Sequence, residues 1–195
     1  KNKEAFNSSP NHLMREKPNA LKIINKAKSL FSKIGKTIIP EDVKTVISPF
    51  EYSEDVLKDF YVTYDLQLIN KEFQAWLKRS DFSEGEKAYQ YIDENGDAFQ
   101  TVSMAWPNKE TPNSDYFIPL IHPINGEKCP VPDKGWRYPS TTFSNMLGTN
   151  EPVELLPNMV VKGQIVFTTG RKGNNQPRNK YLLKENLLEN TPSII

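Results

Sequence analysis

The chain has a single cysteine, Cys129. That excludes an internal disulfide and any cysteine-rich zinc site, and it agrees with a reducing cytosol. It has two histidines, His12 and His122. The nine glycines never form a phosphate-cradling run, since neither G-x-G-x-x-G nor G-x-x-x-x-G-K-[ST] occurs. No apolar run approaches the length of about eighteen residues that a membrane span needs. The N-terminus is polar and lacks the apolar core of a signal peptide. Neither sign of charge dominates: 25 Lys and Arg stand against 24 Asp and Glu, for a net charge of +1. Net charge alone would therefore not hold this chain on nucleic acid.

The charges are unevenly distributed. Residues 1–40 hold nine Lys or Arg against two acids, a net +7. Residues 41–116 hold seven bases against sixteen acids, a net −9. Residues 117–195 hold nine bases against six acids, a net +3. A duplex is expected to be drawn to the ends of the chain and repelled by its middle. The simpler alternative is that these charges are solvated faces.

Proline is abundant, with fifteen residues. Several fall in Ile121 to Tyr138, IHPINGEKCPVPDKGWRY, beside an Asn-Gly and a Lys-Gly turn. Pro fixes φ and removes a donor, whereas Gly allows positive φ, so the run dictates a defined irregular path. It ends at Trp136 and Arg137, an aromatic face beside a planar five-donor fork. Two readings stand here. Either Lys134, Trp136 and Arg137 present a recognition surface, or Trp136 anchors a core and Arg137 is a surface charge.

Along the chain, residues 1–17 read as a flexible lead-in or a linker. Residues 18–85 read as a helical part. Pro18 to Ile34 has apolar residues at three- and four-residue spacing and Gly35 to stop it, with Lys22, Lys26, Lys33 and Lys36 off the apolar stripe. Pro40 to Val46 reads as a short helix. Ser53 to Leu77 reads as a long one, with a break possible at the β-formers Tyr61 to Tyr64. Residues 86–195 read as β-rich. The acidic turn DENGD, Asp93 to Asp97, closes a hairpin over Ala88 to Val102, and it lacks the closing Glu of a calcium loop. A strand is expected at Tyr116 to Ile121 and a helix at Thr141 to Leu147, capped by Ser140. Further strands are expected at Val160-Val161, Gln164 to Thr168 and Lys180 to Leu183. The fold class is therefore α+β: N-terminal helices, then a mostly antiparallel sheet with a Pro/Gly-rich loop excursion.

Catalytic machinery is not legible. A Cys–His nucleophile pair would need Cys129 and His122 in contact, and no Gly-rich turn feeds a helix to hold an anion. Both are expected to stabilise their loop. Binding chemistry is legible in GRKGNNQPRNK, Gly170 to Lys180. Arg171, Lys172, Asn174, Asn175, Gln176, Arg178 and Lys180 occur there without one acid. Arg and Lys suit guanine O6/N7 or phosphate, and Asn and Gln suit the N6/N7 edge of adenine. A polar solvated loop is the alternative. The lysine face of the first helix is a third candidate surface.

These motifs resemble a known family. His122, Pro123, Gly126, Cys129, Pro130, Pro132, Gly135, Trp136, Arg137 and Phe143, followed by Pro177, Arg178, Lys180, Tyr181 and Leu182, look like the modification (Mod) subunits of type III restriction–modification systems. Tyr89 to Gln100 is similar to that family's aspartate–glycine hairpin. The resemblance covers residues 87 to 195. It implies a DNA adenine methyltransferase that uses S-adenosylmethionine. Yet the family's Asp-Pro-Pro-Tyr catalytic motif is absent, and so is its Gly-rich cofactor motif. The chain thus resembles the target recognition region that lies between those motifs, and a first residue of Lys1 agrees with an excised segment. The resemblance implies no catalytic residue, cofactor or metal in this segment, with S-adenosylmethionine held by the parent in a bacterial cytoplasm. The partners implied are double-stranded DNA, the rest of the Mod subunit, a second Mod subunit and a restriction (Res) subunit; no membrane is implied. The alternative is an interaction module for Mod dimerisation or Res docking, using Tyr61, Tyr64, Phe73 and Trp76. A small enzyme of another type is the third reading.

Overall fold

The computed structural model describes residues 5–6, 13–37, 62–108, 110, 112–170 and 175–190. In chain order these begin with strands β1 (Ala5–Phe6) and β2 (Leu13–Glu16), then helix α1 (Ala20–Lys33). Strands β3 (Gly35–Thr37) and β4 (Val62–Tyr64) pair with each other. Helix α2 (Leu66–Arg79) and the short α3 (Glu84–Lys87) follow. Next come β5 (Tyr91–Ile92), β6 (Ala98–Ser103) and, after a long excursion, α4 (Ser140–Leu147). Strands β7 (Val153–Leu156), β8 (Met159–Lys162), β9 (Ile165–Thr168), β10 (Arg178–Leu182) and β11 (Leu188–Asn190) complete the fold.

The α+β class is as expected. Six strands form one antiparallel sheet in the order β5-β6-β10-β9-β8-β7. Both edge strands, β5 and β7, contact α2, so the sheet curls toward closure around that helix. The contact covers strand edges that would otherwise be open to another chain.

The two faces of the sheet follow the period-two alternation of a strand. In β8, Val160 points into one cluster with Met104, Leu120, Trp136, Phe143 and Phe167. Its neighbours Met159 and Val161 point into another with Tyr91, Phe99, Leu155 and Val166. Helices α1 and α2 form a third cluster through Ile23, Ala27, Ile69 and Phe73, which packs against Ile92, Ala98 and Leu183. The Pro-rich excursion is thus a cover for the sheet, with an interior of its own.

Several expectations are corrected. The first helix begins at Ala20, beyond Pro18, and ends at Lys33, with Gly35 opening a strand. The long helix starts only at Leu66, because Val62 to Tyr64 pairs as a strand and Asp65 then caps the helix by accepting from Leu68 N. Residues 38–61, including the short helix expected at Pro40 to Val46, lie outside the described residues. The lead-in contains β2, which pairs with β11 near the other end of the chain. The strand expected at Tyr116 to Ile121 is replaced by a 3₁₀ turn, Ser114–Phe117, whose cap Asn113 accepts from Asp115 N. Pro119 offers no donor to a ladder there. Ser140 is the first helical residue, not the cap; its hydroxyl donates to the Asp115 carboxylate instead.

Candidate nucleic-acid interface

Strands β9 and β10 are inner neighbours of the sheet, and the acid-free basic loop joins them. Arg171, Lys172 and Asn174 lie outside the described residues. Asn175 and Gln176 are half-buried and engaged, and Pro177 is buried. The root of the loop is firmly held. Gly170 takes a positive φ of 70°, which suits glycine. Beside it, Thr169 N donates to Asn158 O at 3.0 Å, tying the loop to the β7–β8 turn.

Arg178 and Lys180 belong to this root. The Arg178 guanidinium donates through Nε to Thr101 Oγ1 at 3.1 Å and through Nη2 to Thr101 O at 3.2 Å. Lys180 Nζ lies 3.1 Å from Asp93 Oδ2 and over the Phe99 ring, with its side chain 8% exposed. Asn179 donates to Tyr138 Oη at 3.3 Å. Lys180 was expected to face a ligand; the structure corrects this, because its ammonium is buried against a carboxylate.

The acidic turn answers to these cations. Asp93 Oδ1 accepts from Asn95 N and Asp97 N, while Lys184 Nζ lies 2.6 Å from Asp97 Oδ2. That hydrogen bond, together with the Asp97 charge, pushes the Lys184 ammonium up against a smaller opposing effect of burial. Among the described residues no group of three or more His, Cys, Asp or Glu is placed to hold a metal ion.

The second candidate surface splits. Trp136 is 0% exposed, and its Nε1 donates to Ile118 O at 2.9 Å. Its ring packs edge-on to Phe143. The expectation of a presented aromatic face is therefore corrected: the ring is a core anchor, because a fully buried indole gains most from apolar packing plus one bonded N–H. Lys134 is exposed in the turn closed by Gly135 N donating to Pro132 O. Arg137 is half-buried, its Nε is buried without a hydrogen-bond partner, and its guanidinium makes no ion pair among the described residues.

The fold brings Arg137 and Arg178 to one end of β6. Arg178 pairs in register with Ser103, and Arg137 N donates to the next residue, at Met104 O. Two of the α1 lysines are engaged within the chain: Lys26 lies over the Trp76 ring, and Lys22 donates to Asn19 Oδ1.

His122 and Cys129 stabilise the excursion. His122 N donates to Glu127 O and Cys129 N to Leu120 O. His122 Nδ1 accepts from Ile124 N, while Nε2 has no partner. Burial pushes the imidazole below its ordinary pKa, with Glu127 opposing. Burial, then Glu127, pushes the Cys129 thiol up to about 11. Such a thiol is a poor nucleophile near neutrality.

One feature was missed by sequence reasoning. A groove runs between α2 and the β7–β8 turn, with Lys71, Lys78 and Gln74 on one side and Leu156 and Pro157 on the other. The signal was the recurrence of polar residues along one helix face, at positions 67, 71, 74 and 78. The interaction surface expected at Phe73 and Trp76 is corrected: Phe73 is fully buried, and Trp76 packs between Phe73 and Phe82. Tyr64 stacks on Phe31, and Tyr61 lies outside the described residues. No described helix is long and apolar enough to cross a membrane. Compared with protein-family models, with characterised proteins and with solved structures, the chain matches none.

Proposed function

We propose that this chain is the DNA-sequence recognition segment of a type III restriction–modification adenine-N6 methyltransferase, working in the bacterial cytoplasm. In this reading the parent Mod subunit supplies S-adenosylmethionine and the methyl transfer. The segment reads base edges beside the adenine, which is extruded into the parent's pocket. It performs no chemistry itself.

The observation that carries the reading is the acid-free loop between the two inner strands β9 and β10, rooted by Arg178 on Thr101 and Lys180 on Asp93. A rigid root holds base-reading groups at lower entropic cost than a free loop would. The roles within the loop then divide. Arg178 and Lys180 hold the root. Arg171, Lys172 and Asn174 read base edges or phosphate, with Lys134 and Arg137 contributing from the neighbouring excursion.

Selection from a pool of duplexes with a randomised core, at low salt, tests this. The 195-residue chain is expected to enrich a short motif, and Arg171→Ala is expected to relax one position of it. A pool that leaves as it entered overturns the reading.

Three exposed isoleucines favour a second, compatible role in protein contact. Ile118, Ile121 and Ile124 are 49%, 51% and 64% exposed in one stretch of the excursion. This would be the face toward the rest of the Mod subunit, a second Mod subunit or a Res subunit. Light scattering of the chain with Ile121→Ser and Ile124→Ser tests it: an oligomer lost on substitution supports the role in Mod dimerisation, whereas an unchanged mass removes it.

A further inference from the structure

Gln67, Lys71, Gln74 and Lys78 recur at helical spacing along one face of α2, and all four line the groove beside Leu156 and Pro157. Gln67, Lys71 and Lys78 are exposed. Neither lysine has an ion-pair partner among the described residues. The acid of this groove, Asp65, sits at the start of the helix, where its carboxylate accepts Leu68 N–H. The stripe itself is therefore cationic and amide-bearing. It lies within the stretch of chain whose overall charge is −9, so sequence totals concealed it.

The groove also has a direction. Its far wall ends at Pro157, next to Asn158, which takes a positive φ of 67° in the β7–β8 turn. Asn158 O accepts from Thr169 N, at the root of the basic loop. The stripe and the loop are thus joined through a two-residue turn. Lys71 and Lys78 are about 10 Å apart along the helix axis. Measured along the duplex axis, that is about three base-pair steps, at about 3.4 Å of rise each.

Resting on the recognition reading above, we infer that this groove seats the sugar–phosphate backbone of the bound duplex, with Lys71 and Lys78 on phosphates and Gln67 and Gln74 donating beside them. Charge complementarity names the occupant: two ammonium groups without an ion-pair partner among the described residues, and two amides, meet a row of anionic oxygens. The contact is independent of base sequence. It fixes the register of the duplex so that the β9–β10 loop meets the base edges.

The test is fluorescence anisotropy of the full chain with a mixed-sequence duplex over a series of KCl concentrations. Variants are Lys71→Gln/Lys78→Gln and, for comparison, Arg171→Gln/Lys172→Gln. Thermal melts by circular dichroism check that each variant folds, and Lys71 and Lys78 are exposed. Removing two phosphate contacts is expected to lower the slope of log K against log salt by about 1.8. Affinity at low salt is expected to fall about tenfold for every sequence alike. An unchanged slope in the α2 variant, with weakened binding in the loop variant, overturns the groove and leaves the recognition reading standing. No binding by the unsubstituted chain at low salt overturns both. DNA binding that persists in the α2 variant, while binding of poly-glutamate is lost, would make the groove a protein contact and overturn the inference.

Discussion

Asn70 completes the edge of the sheet. Its Oδ1 accepts from Ile92 N at 2.8 Å, and its Nδ2 donates to Ile92 O at 3.0 Å and to Leu66 O at 2.8 Å. The side-chain amide thus mimics the backbone of a neighbouring strand on the outer side of β5. It does so from within α2, where it is 0% exposed. Asn70→Leu leaves both backbone groups of Ile92 without a partner in the interior. A buried unsatisfied polar group costs about 1–3 kcal/mol. Urea unfolding is therefore expected to show a loss of about 2–4 kcal/mol. A loss below the error of the fit would mean that water reaches this edge.

Lys180 and Asp93 make a buried ion pair that bridges β10 and the β5–β6 turn, with side chains 8% and 1% exposed. Asp93 also orders the turn through Asn95 N and Asp97 N. Lys180→Met strands the carboxylate and is expected to cost about 3–5 kcal/mol. Adding Asp93→Asn to that variant removes the stranded charge and is expected to recover part of the loss. The measurement is a double-mutant cycle in urea. Additive single effects would show that the pair contributes no coupling.

The amphipathic helix and the acidic hairpin were legible because their signals are local. Ile23, Ala27 and Leu30 fall on one face, and Asn95-Gly96 demands a turn with positive φ. What was hidden depends on distant partners. The pairing of β2 with β11 joins the two ends of the chain, and neither strand has a strong apolar pattern. β7 was missed because it is an edge strand that buries only Leu155 fully before Pro157 ends it. At the candidate interface, sequence reasoning found the loop but could not divide its roles. Lys180 and Arg178 look like any basic loop residue until Asp93 and Thr101 are placed beside them. Trp136 posed the same ambiguity, which its burial settles.

Glu86 ties α3 to the start of α1. Its carboxylate accepts from Asn19 N and Nδ2 and from the backbone N and hydroxyl of Ser83. Burial pushes this acid up, but the bonds from Asn19 and Ser83 outweigh it, so its pKa lies below the ordinary value of 4.5. A carboxyl with a depressed native pKa stabilises fully above its unfolded value and loses that contribution as pH falls through the native one. Glu86→Gln is therefore expected to destabilise by about 1–3 kcal/mol at pH 7. The gap between variant and parent should close as unfolding is repeated at pH values falling below 4.5. A gap that stays constant into acid would mean that shape, not charge, holds the junction.

The chemistry of Cys129 can be checked without a ligand. It is 7% exposed, packs with Leu120, Trp136 and Phe143, and has its pKa raised to about 11 by burial, with Glu127 adding to the effect. At pH 8 only about one such thiol in a thousand is thiolate, the reactive form. Iodoacetamide is therefore expected to leave the native chain unmodified over a time that fully alkylates the urea-unfolded chain, as read by mass spectrometry. Because Cys129 packs in the same cluster as Trp136, its protection also reports whether the excursion stays closed on the sheet. Rapid labelling in buffer would mean that the Pro-rich cover opens. Arg137, a residue of that cover held at the end of β6 through Met104 O, would then lose its fixed place beside Arg178.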